Sequence, residues 1–167
     1  MTPPETYITY YQSPIGLLKI SGTATYISEI SYHDTSQKVS GAKKNLPPLF
    51  INCVEQLIEY FNGHRRQFEL PVNQSGTAFQ QDVWSLLMSI PYGKTLSYVE
   101  LARMTGDPKA VRAVANANGK NNIAIVIPCH RVIGSNKDLV GYMGGLWRKK
   151  WLLELEAKVA HGVQTLF

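Results

Sequence analysis

Residues 97–118, SYVELARMTGDPKAVRAVANAN, determine the fold that the sequence predicts for the second half of the chain. Ser97 and Glu100 stand three residues apart, which is the capping-box pattern that begins a helix. Pro108 suits the first turn of a following helix over residues 109–118, because its fixed φ is compatible with helical backbone. Two short helices joined by a glycine-containing turn predict a helix-turn-helix. This motif binds DNA in some proteins and is purely structural in many others.

The segments on either side of this motif are predicted to complete one largely helical domain. Thr77 is a suitable N-cap for an amphipathic helix that ends before Pro91. The apolar residues of that helix recur at helical spacing and are Phe79, Val83, Trp84, Leu87 and Met88. The β-branched run Ile123–Ile127 predicts a buried strand or extended segment. A final helix is predicted over Trp147–Val159.

The first 73 residues have a different pattern, which predicts a small antiparallel sheet and a helix. Three segments rich in Ile, Tyr and Thr indicate strands, namely Tyr7–Tyr11, Leu17–Ser21 and Tyr26–Tyr32. Apolar residues at helical spacing predict a helix across residues 53–61, and Phe68–Val72 is predicted as a further short strand. We therefore predict an α/β (α+β) fold with two domains, residues 1–73 and residues 74–167.

The composition is typical of globular proteins, but the charge is unevenly distributed. Of the 167 residues, 44% are apolar and 17% are charged, and no apolar run reaches the roughly 18 residues that span a membrane. Residues 1–73 hold six basic and six acidic side chains, so residues 74–167 carry the whole net charge of +5. A basic second domain favours a polyanionic partner such as DNA, although many basic proteins bind no polyanion.

The cysteines and histidines indicate neither a metal site nor a disulfide framework. The two cysteines and four histidines lack the paired spacing of zinc ligands, so we expect no metal. The N-terminus lacks the basic and apolar segments of a secretory signal. Together with the unpaired cysteines, this predicts a cytoplasmic protein with no membrane association.

Cys129 is the candidate nucleophile of the chain. It precedes His130 and Arg131, whose positive charges can lower the pKa of a neighbouring thiol. His130 could act as a base oriented by Glu156, either in direct contact with the thiol or, as we favour for adjacent residues, through a bridging water. A purely structural role for Cys129 stays open on spacing alone. Cys53 lies on the apolar face of a predicted helix, which indicates an inert core thiol.

The segment Ile127–Gly134, IPCHRVIG, resembles the active-site signature of the O6-alkylguanine-DNA alkyltransferases. Further segments resemble stretches of that family in the same order along the chain. They are Thr77–Trp84, Pro91–Gly93 with Ser97–Ala102, Pro108–Ala115, and Gly141–Tyr142 with Gly144–Leu146. In the first 73 residues the resemblance is limited to the β-rich pattern and the Ser13–Gly16 turn.

The resemblance implies both a fold and a reaction. In the family, a ribonuclease-H-like α/β domain precedes a helical, winged-helix-like DNA-binding domain. A guanine alkylated on O6, or a thymine alkylated on O4, is flipped out of double-stranded DNA, and the cysteine matching Cys129 takes the alkyl group irreversibly. Such a DNA-repair methyltransferase acts once per molecule and uses no cofactor. We expect a monomer bound in the minor groove, with side-by-side clustering on DNA left open.

The resemblance also implies roles for individual residues. His130 would deprotonate Cys129 through water, Glu156 would fix the imidazole, and Asn121 would brace the turn around the thiol. Tyr98 would donate a hydrogen bond to the flipped base and thereby help it to leave. In the family the recognition helix enters the minor groove, where an arginine fills the gap left by the flipped base. The expected DNA contacts are Tyr98, Lys109, Ala110, Arg112 (the matching arginine), Ala113, Lys120, Arg131 and Ser135.

Two other functions are compatible with parts of the sequence. A helix-turn-helix regulator would bind DNA without chemistry, but it needs neither Cys129 nor the adjacent His130. A papain-like thiol hydrolase would use a histidine far from its cysteine in sequence, whereas these two are neighbours. Met143 occupies a position that varies in the family and shapes the alkyl pocket, so the range of accepted alkyl groups stays open.

Overall fold

Three antiparallel strands in the order β1-β2-β3 form a sheet in the first unit of the chain, with one helix against it. The strands are β1 (Tyr7–Ser13), β2 (Gly16–Gly22) and β3 (Ile27–His33), and the helix is α1 (Pro48–Phe61). The three predicted strands and the predicted helix are thereby confirmed. Sheet and helix both contribute apolar side chains to the core, whose fully buried members include Leu18, Ile20, Ile30, Phe50, Cys53 and Leu57.

The computed structural model describes residues 2–33, 41–42 and 44–162, and the chain divides into two units, Met1–Gln74 and Ser75–Phe167. Residues 163–167, which the sequence assigns to the second predicted domain, lie outside the described residues. Within the described ranges, no helix is both long enough and apolar enough to cross a bilayer.

The predicted strand Phe68–Val72 is wrong. Only Val72 pairs with the sheet, in an isolated parallel bridge to Ile27. Pro71 has no backbone N–H to donate, which prevents a longer ladder. The side chain of Gln56 instead satisfies the backbone of Glu69, donating to its carbonyl at 3.2 Å and accepting from its amide at 2.9 Å. A glutamine side chain from α1 thus takes the place of a strand partner.

The second unit contains four helices, a short parallel strand pair and a 3₁₀ turn among its described residues. The helices are α2 (Ala78–Met88), α3 (Tyr98–Met104), α4 (Val111–Gly119) and α5 (Leu146–His161). The strands β4 (Leu96–Ser97) and β5 (Val132–Ile133) pair in parallel, and Cys129–Arg131 forms the 3₁₀ turn immediately before β5. The helix pair α3–α4 is the helix-turn-helix that the sequence predicts.

Both predicted helix caps are present as complete capping boxes. The Thr77 hydroxyl accepts from the Gln80 amide at 3.1 Å, and the Gln80 side chain accepts from the Thr77 amide at 2.9 Å. Ser97 and Glu100 make the equivalent pair of bonds at 3.0 and 3.2 Å. These bonds satisfy amide groups that would otherwise lack partners in the first turns of α2 and α3.

Two segments of this unit differ from the sequence prediction. α4 begins at Val111 rather than near Lys109, because the Asp107 carboxylate accepts from the Lys109 amide at 2.9 Å and holds a separate turn. The run Ile123–Ile127 is buried, as expected, but it forms a turn and not a strand. Ile125 adopts a φ of 72°, a conformation that β-branched residues rarely adopt. This turn leads directly into Cys129.

Candidate active site

One cavity of about 960 Å³ brings together residues from the helix-turn-helix, the 3₁₀ turn and the loop before α5. Tyr98 contributes from the start of α3, Arg112 and Asn118 from α4, and Cys129 from the 3₁₀ turn. The loop segment Val140–Met143 also lines the cavity. The candidate nucleophile and the predicted recognition helix therefore border the same cavity.

Cys129 is a deeply buried thiol, only 1% exposed. Burial raises the pKa of this thiol, while a hydrogen bond from Asn121 and the nearby positive charge of Lys149 oppose the rise. The expectation that His130 and Arg131 lower the pKa is therefore wrong: the opposing interactions come from Asn121, Lys149 and the backbone, and the cost of burying a thiolate outweighs them. At neutral pH the thiol is protonated, so its use as a nucleophile requires a base.

The side-chain amide of Asn121 holds the turn that carries Cys129. Its Nδ2 lies 3.0 Å from the Ile127 carbonyl, 3.2 Å from the Ile123 carbonyl and 3.3 Å from Sγ of Cys129. Its Oδ1 accepts from the Ile123 amide at 3.1 Å. Asn121 is 1% exposed, so these contacts are shielded from water. One side chain thus replaces the strand ladder predicted for this segment and also reaches the sulfur.

His130, Glu156 and Arg131 form a buried charged cluster beside the thiol. Nε2 of His130 lies 2.7 Å from Oε2 of Glu156. Arg131 donates to both oxygens of the same carboxylate, at 2.8 and 3.0 Å, and to the Ile90 carbonyl at 2.7 Å. The prediction that Arg131 contacts DNA is therefore wrong: the residue is 6% exposed and its guanidinium is already bonded within the protein.

The protonation states of this cluster follow from its contacts. Burial tends to raise the pKa of Glu156, but His130 and Arg131 outweigh it and hold the pKa well below its usual range. Burial lowers the pKa of His130, and the attraction of Glu156 only partly opposes it. The imidazole is therefore neutral, with Nε2–H donating to Glu156. Its Nδ1 is then an acceptor, and this atom has no hydrogen-bond partner among the described residues.

The hydroxyl of Tyr98 donates to the Val140 carbonyl at 3.1 Å, which connects α3 to the loop before α5. Burial raises the pKa of this hydroxyl, the nearby Cys129 raises it further, and the Asn118 side chain opposes them. Tyr98 is thus a hydrogen-bond donor at neutral pH, and it borders the same cavity as Cys129.

The remaining predicted DNA contacts lie around the exposed face of α4. Arg112 and Ala113 are exposed on the helix, and Ala110 is half-buried immediately before it. Lys109 and Lys120 are exposed at the two ends of the helix, and Ser135 is exposed in the loop after β5. Arg112 and Lys109 also line the cavity. All of these positions, unlike Arg131, are accessible to a partner.

Two residues of the site escape sequence reasoning. Lys149 is fully buried, with Nζ donating to the Val140 and Gly141 carbonyls at 2.8 and 3.3 Å. Asn118 is 4% exposed in the cavity wall and donates to the Cys129 carbonyl at 3.4 Å. Two adjacent lysines are typical of a solvent-exposed helix face, so nothing in the sequence indicates that Lys149 is buried while Lys150 is exposed. In the described part of the chain, no three His, Cys, Asp or Glu side chains are grouped to hold a metal.

The fold and the site together define a class of helix-turn-helix proteins in which the motif and a buried cysteine line the same cavity. Two family models match the chain. The 6-O-methylguanine DNA methyltransferase ribonuclease-like domain matches residues 6–74, and the DNA binding domain of the same name matches residues 78–158. The chain belongs to the 6-O-methylguanine DNA methyltransferase family.

Similar proteins support this membership along almost the whole chain. A methylated-DNA–protein-cysteine methyltransferase of Mycolicibacterium paratuberculosis is 46% identical, over 93% of this chain and 94% of that protein. A constitutive one from Bacillus subtilis is 42% identical, over 90% and 94%. The crystal structure of Mycobacterium tuberculosis OGT in complex with DNA superposes with a TM-score of 0.83 at 42% identity, covering 92% of this chain and 94% of that one.

Proposed function

We propose that this chain repairs alkylated DNA by taking the methyl group of O6-methylguanine onto Sγ of Cys129. The observation that carries the proposal is the position of this thiol in a cavity bordered by the second helix of the helix-turn-helix. The names of the similar proteins and the DNA-bound M. tuberculosis structure support the same reaction and the same partner. In this proposal residues 74–167 form the catalytic domain, and residues 1–73 form the domain that precedes it.

The residues around Cys129 supply a complete proton path for the transfer. Nδ1 of neutral His130 takes the thiol proton through a water, while Glu156 holds the imidazole and Arg131 holds Glu156. The thiolate attacks the methyl carbon, the S–C bond forms, and the C–O6 bond breaks with its electron pair going to the guanine. Tyr98 donates a hydrogen bond to the base and stabilises the developing negative charge.

The product of this step determines the stoichiometry. A thioether on Cys129 is chemically stable and does not give its methyl group back to guanine, so each molecule acts once. The proton that His130 takes from the thiol is returned to the departing guanine anion, so protein and DNA together balance the reaction and no cofactor is required. Free thiols at Cys53 and Cys129 accord with a reducing cytoplasm, where the reactive sulfur stays reduced.

We place the DNA against α4, with the helix in the minor groove of the duplex. The small side chains of Ala110 and Ala113 permit close approach there. Arg112 fills the stack that the flipped base leaves, and Lys109 and Lys120 contact phosphates. Ser135 contributes a further contact from the loop. The protein binds as a monomer, and any side-by-side clustering of several copies on one duplex would use this same contact through α4.

Two further substrates follow from the same site. O4-alkylthymine presents an alkyl carbon on an exocyclic oxygen and suits the same thiolate attack. Met143 lines the cavity and is 44% exposed, so its flexible side chain can move aside for alkyl groups larger than methyl.

Analysis of the DNA separates this proposal from the other functions. A duplex carrying one O6-methylguanine is incubated with the wild type, with Cys129→Ser and with Cys53→Ser, and its nucleosides are then separated. We expect restored guanine with the wild type and with Cys53→Ser, and unchanged O6-methylguanine with Cys129→Ser. Bound but unchanged DNA in all three samples would indicate a regulator and contradict the proposal. Turnover of a simple ester instead would indicate a thiol hydrolase.

A further inference from the structure

We propose that Lys149 is a positioning residue for methyl transfer. Its ammonium group continues to donate a hydrogen bond to the Val140 carbonyl when the Tyr98 hydroxyl donates to the flipped base instead. The inference rests on the proposed function and adds a residue to its machinery. It concerns the loop segment Val140–Met143, which we call the loop wall and which lines the same cavity as Cys129.

A single carbonyl oxygen joins three parts of the second unit. The Val140 oxygen accepts from the Tyr98 hydroxyl at 3.1 Å and from Nζ of Lys149 at 2.8 Å. Tyr98 belongs to α3 and Lys149 to α5, while Val140 lies in the loop between β5 and α5. Nζ also donates to the Gly141 carbonyl at 3.3 Å. The loop wall is thus attached to both helices at one point.

Packing alone does not explain why a lysine is buried at position 149. The residue is 0% exposed, and a buried ammonium group loses its hydration. In the described chain, no carboxylate forms an ion pair with it, and its bonds are to the two loop carbonyls, with the Tyr98 ring 5.8 Å away. Burial lowers the pKa of Lys149 to about 8, and the nearby Cys129 opposes the shift. A methionine would fill the same space without losing hydration.

Tyr98 cannot serve the loop and the base at the same time, because a hydroxyl has one proton to donate. When it turns to the base, the Val140 carbonyl loses one of its two donors. Lys149 remains, so the loop wall keeps its place during transfer. Without Lys149, every approach of the Tyr98 hydroxyl to the base would leave that carbonyl with neither of these donors. The cost would therefore fall on the transfer step and not on DNA binding.

A double-mutant cycle with Tyr98→Phe tests this arrangement. Lys149→Met removes the ammonium group at similar size, and Lys150→Met is the matched control because Lys150 is exposed on the same helix. The rate constant at saturating protein is measured on O6-methylguanine duplex. We expect Lys149→Met to slow transfer about tenfold in the wild type but less than about twofold in Tyr98→Phe, with DNA affinity unchanged. Lys150→Met should leave the rate unchanged.

The cycle separates the effect of the Lys149–Val140 hydrogen bond from other effects of Lys149, because those other effects are the same in the wild-type and Tyr98→Phe backgrounds. Loss of its charge near Cys129, or a general loosening of the loop, slows transfer equally in both backgrounds. Equal losses would therefore overturn the inference while leaving the proposed function intact, whereas a wild type that accepts no methyl group would overturn both. Thermal melting checks that each variant is folded. If Lys149→Met does not fold, Lys149→Leu, which also removes the donor, is compared in the same two backgrounds with the same expected coupling.

Discussion

Oε2 of Glu156 lies 2.7 Å from Nε2 of His130, and both side chains are withdrawn from solvent, at 1% and 0% exposure. This contact orients the imidazole so that Nδ1 is the nitrogen left to accept a proton. The same carboxylate receives two bonds from Arg131 and one from the Gly93 amide at 3.3 Å. Glu156 therefore stabilises the fold of the second unit through these contacts, and it orients His130 in the proton path that we propose.

Glu156→Gln should reduce both stability and transfer. Arg131 would lose its charged partner in the interior, and breaking a buried pair typically costs about 3–5 kcal/mol of unfolding free energy. The transfer rate should fall at least about tenfold, because His130 loses the carboxylate that orients it. Urea unfolding and single-turnover transfer measure the two effects. Glu154→Gln, at a partly exposed position on the same helix, is the control, and equal behaviour of the two variants would remove Glu156 from the proton path.

Acidification should weaken the fold through His130. Its pKa is lowered in the folded protein, so the unfolded chain takes up a proton near its ordinary value of about 6.5 while the buried imidazole does not. The unfolding free energy should therefore fall as the pH drops below about 6.5 and continue to fall until the lowered pKa is reached. Urea unfolding between about pH 5 and 8 measures this slope. His130→Gln should make it shallower, and an unchanged slope would contradict a neutral buried imidazole.

The salt dependence of DNA binding should separate exposed from buried basic residues. Lys109→Met and Lys120→Met should each reduce the slope of log affinity against log salt by about one unit, because each phosphate contact releases a counterion. Arg131→Met should leave the slope unchanged and lower stability, since its guanidinium is bonded to Glu156 and Ile90. Titrations of unmodified duplex at several salt concentrations provide the slopes. A reduced slope for a folded Arg131→Met protein would restore Arg131 as a DNA contact.

Arg112→Ala should distinguish a residue that fills the base stack from one that contacts phosphate. In the first case, repair of duplex DNA slows much more than repair of a single strand or of the free base, where little stacking is replaced. A phosphate contact instead gives equal losses on duplex and single strand and a salt slope smaller by about one unit. Transfer rates on the three substrates at two salt concentrations decide the matter. Arg103→Ala, exposed on α3, is the matched control.

Local signals in the sequence predicted much of this architecture. The N-cap at Thr77 and the capping box of Ser97 and Glu100 involve partners only three residues away, so local sequence alone predicts them. The β-strands of the first unit follow from runs of β-branched and aromatic residues. The same rule failed at Ile123–Ile127, because a β-branched run looks alike in a strand and in a buried turn. There, the amide of Asn121 supplies the bonds that a neighbouring strand would have made.

Long-range partners explain what the sequence could not predict. Arg131 pairs with Glu156, 25 residues further along the chain, and nothing near Arg131 indicates its burial. Lys149 and Lys150 are adjacent and chemically identical, yet one is buried against loop carbonyls and the other is exposed. The raised pKa of Cys129 is likewise not predictable from sequence, since the sequence shows neighbouring charges but not the depth of burial that raises this pKa.

The most direct test of the account is the stoichiometry of transfer in excess DNA. The protein is incubated with a severalfold excess of O6-methylguanine duplex, and its intact mass and its cysteine-containing peptides are then determined. We predict a gain of one methyl group per chain, carried by the peptide with Cys129, with the remaining lesions left unrepaired. Repair of many lesions per chain, or a methyl group on Cys53, would contradict the account.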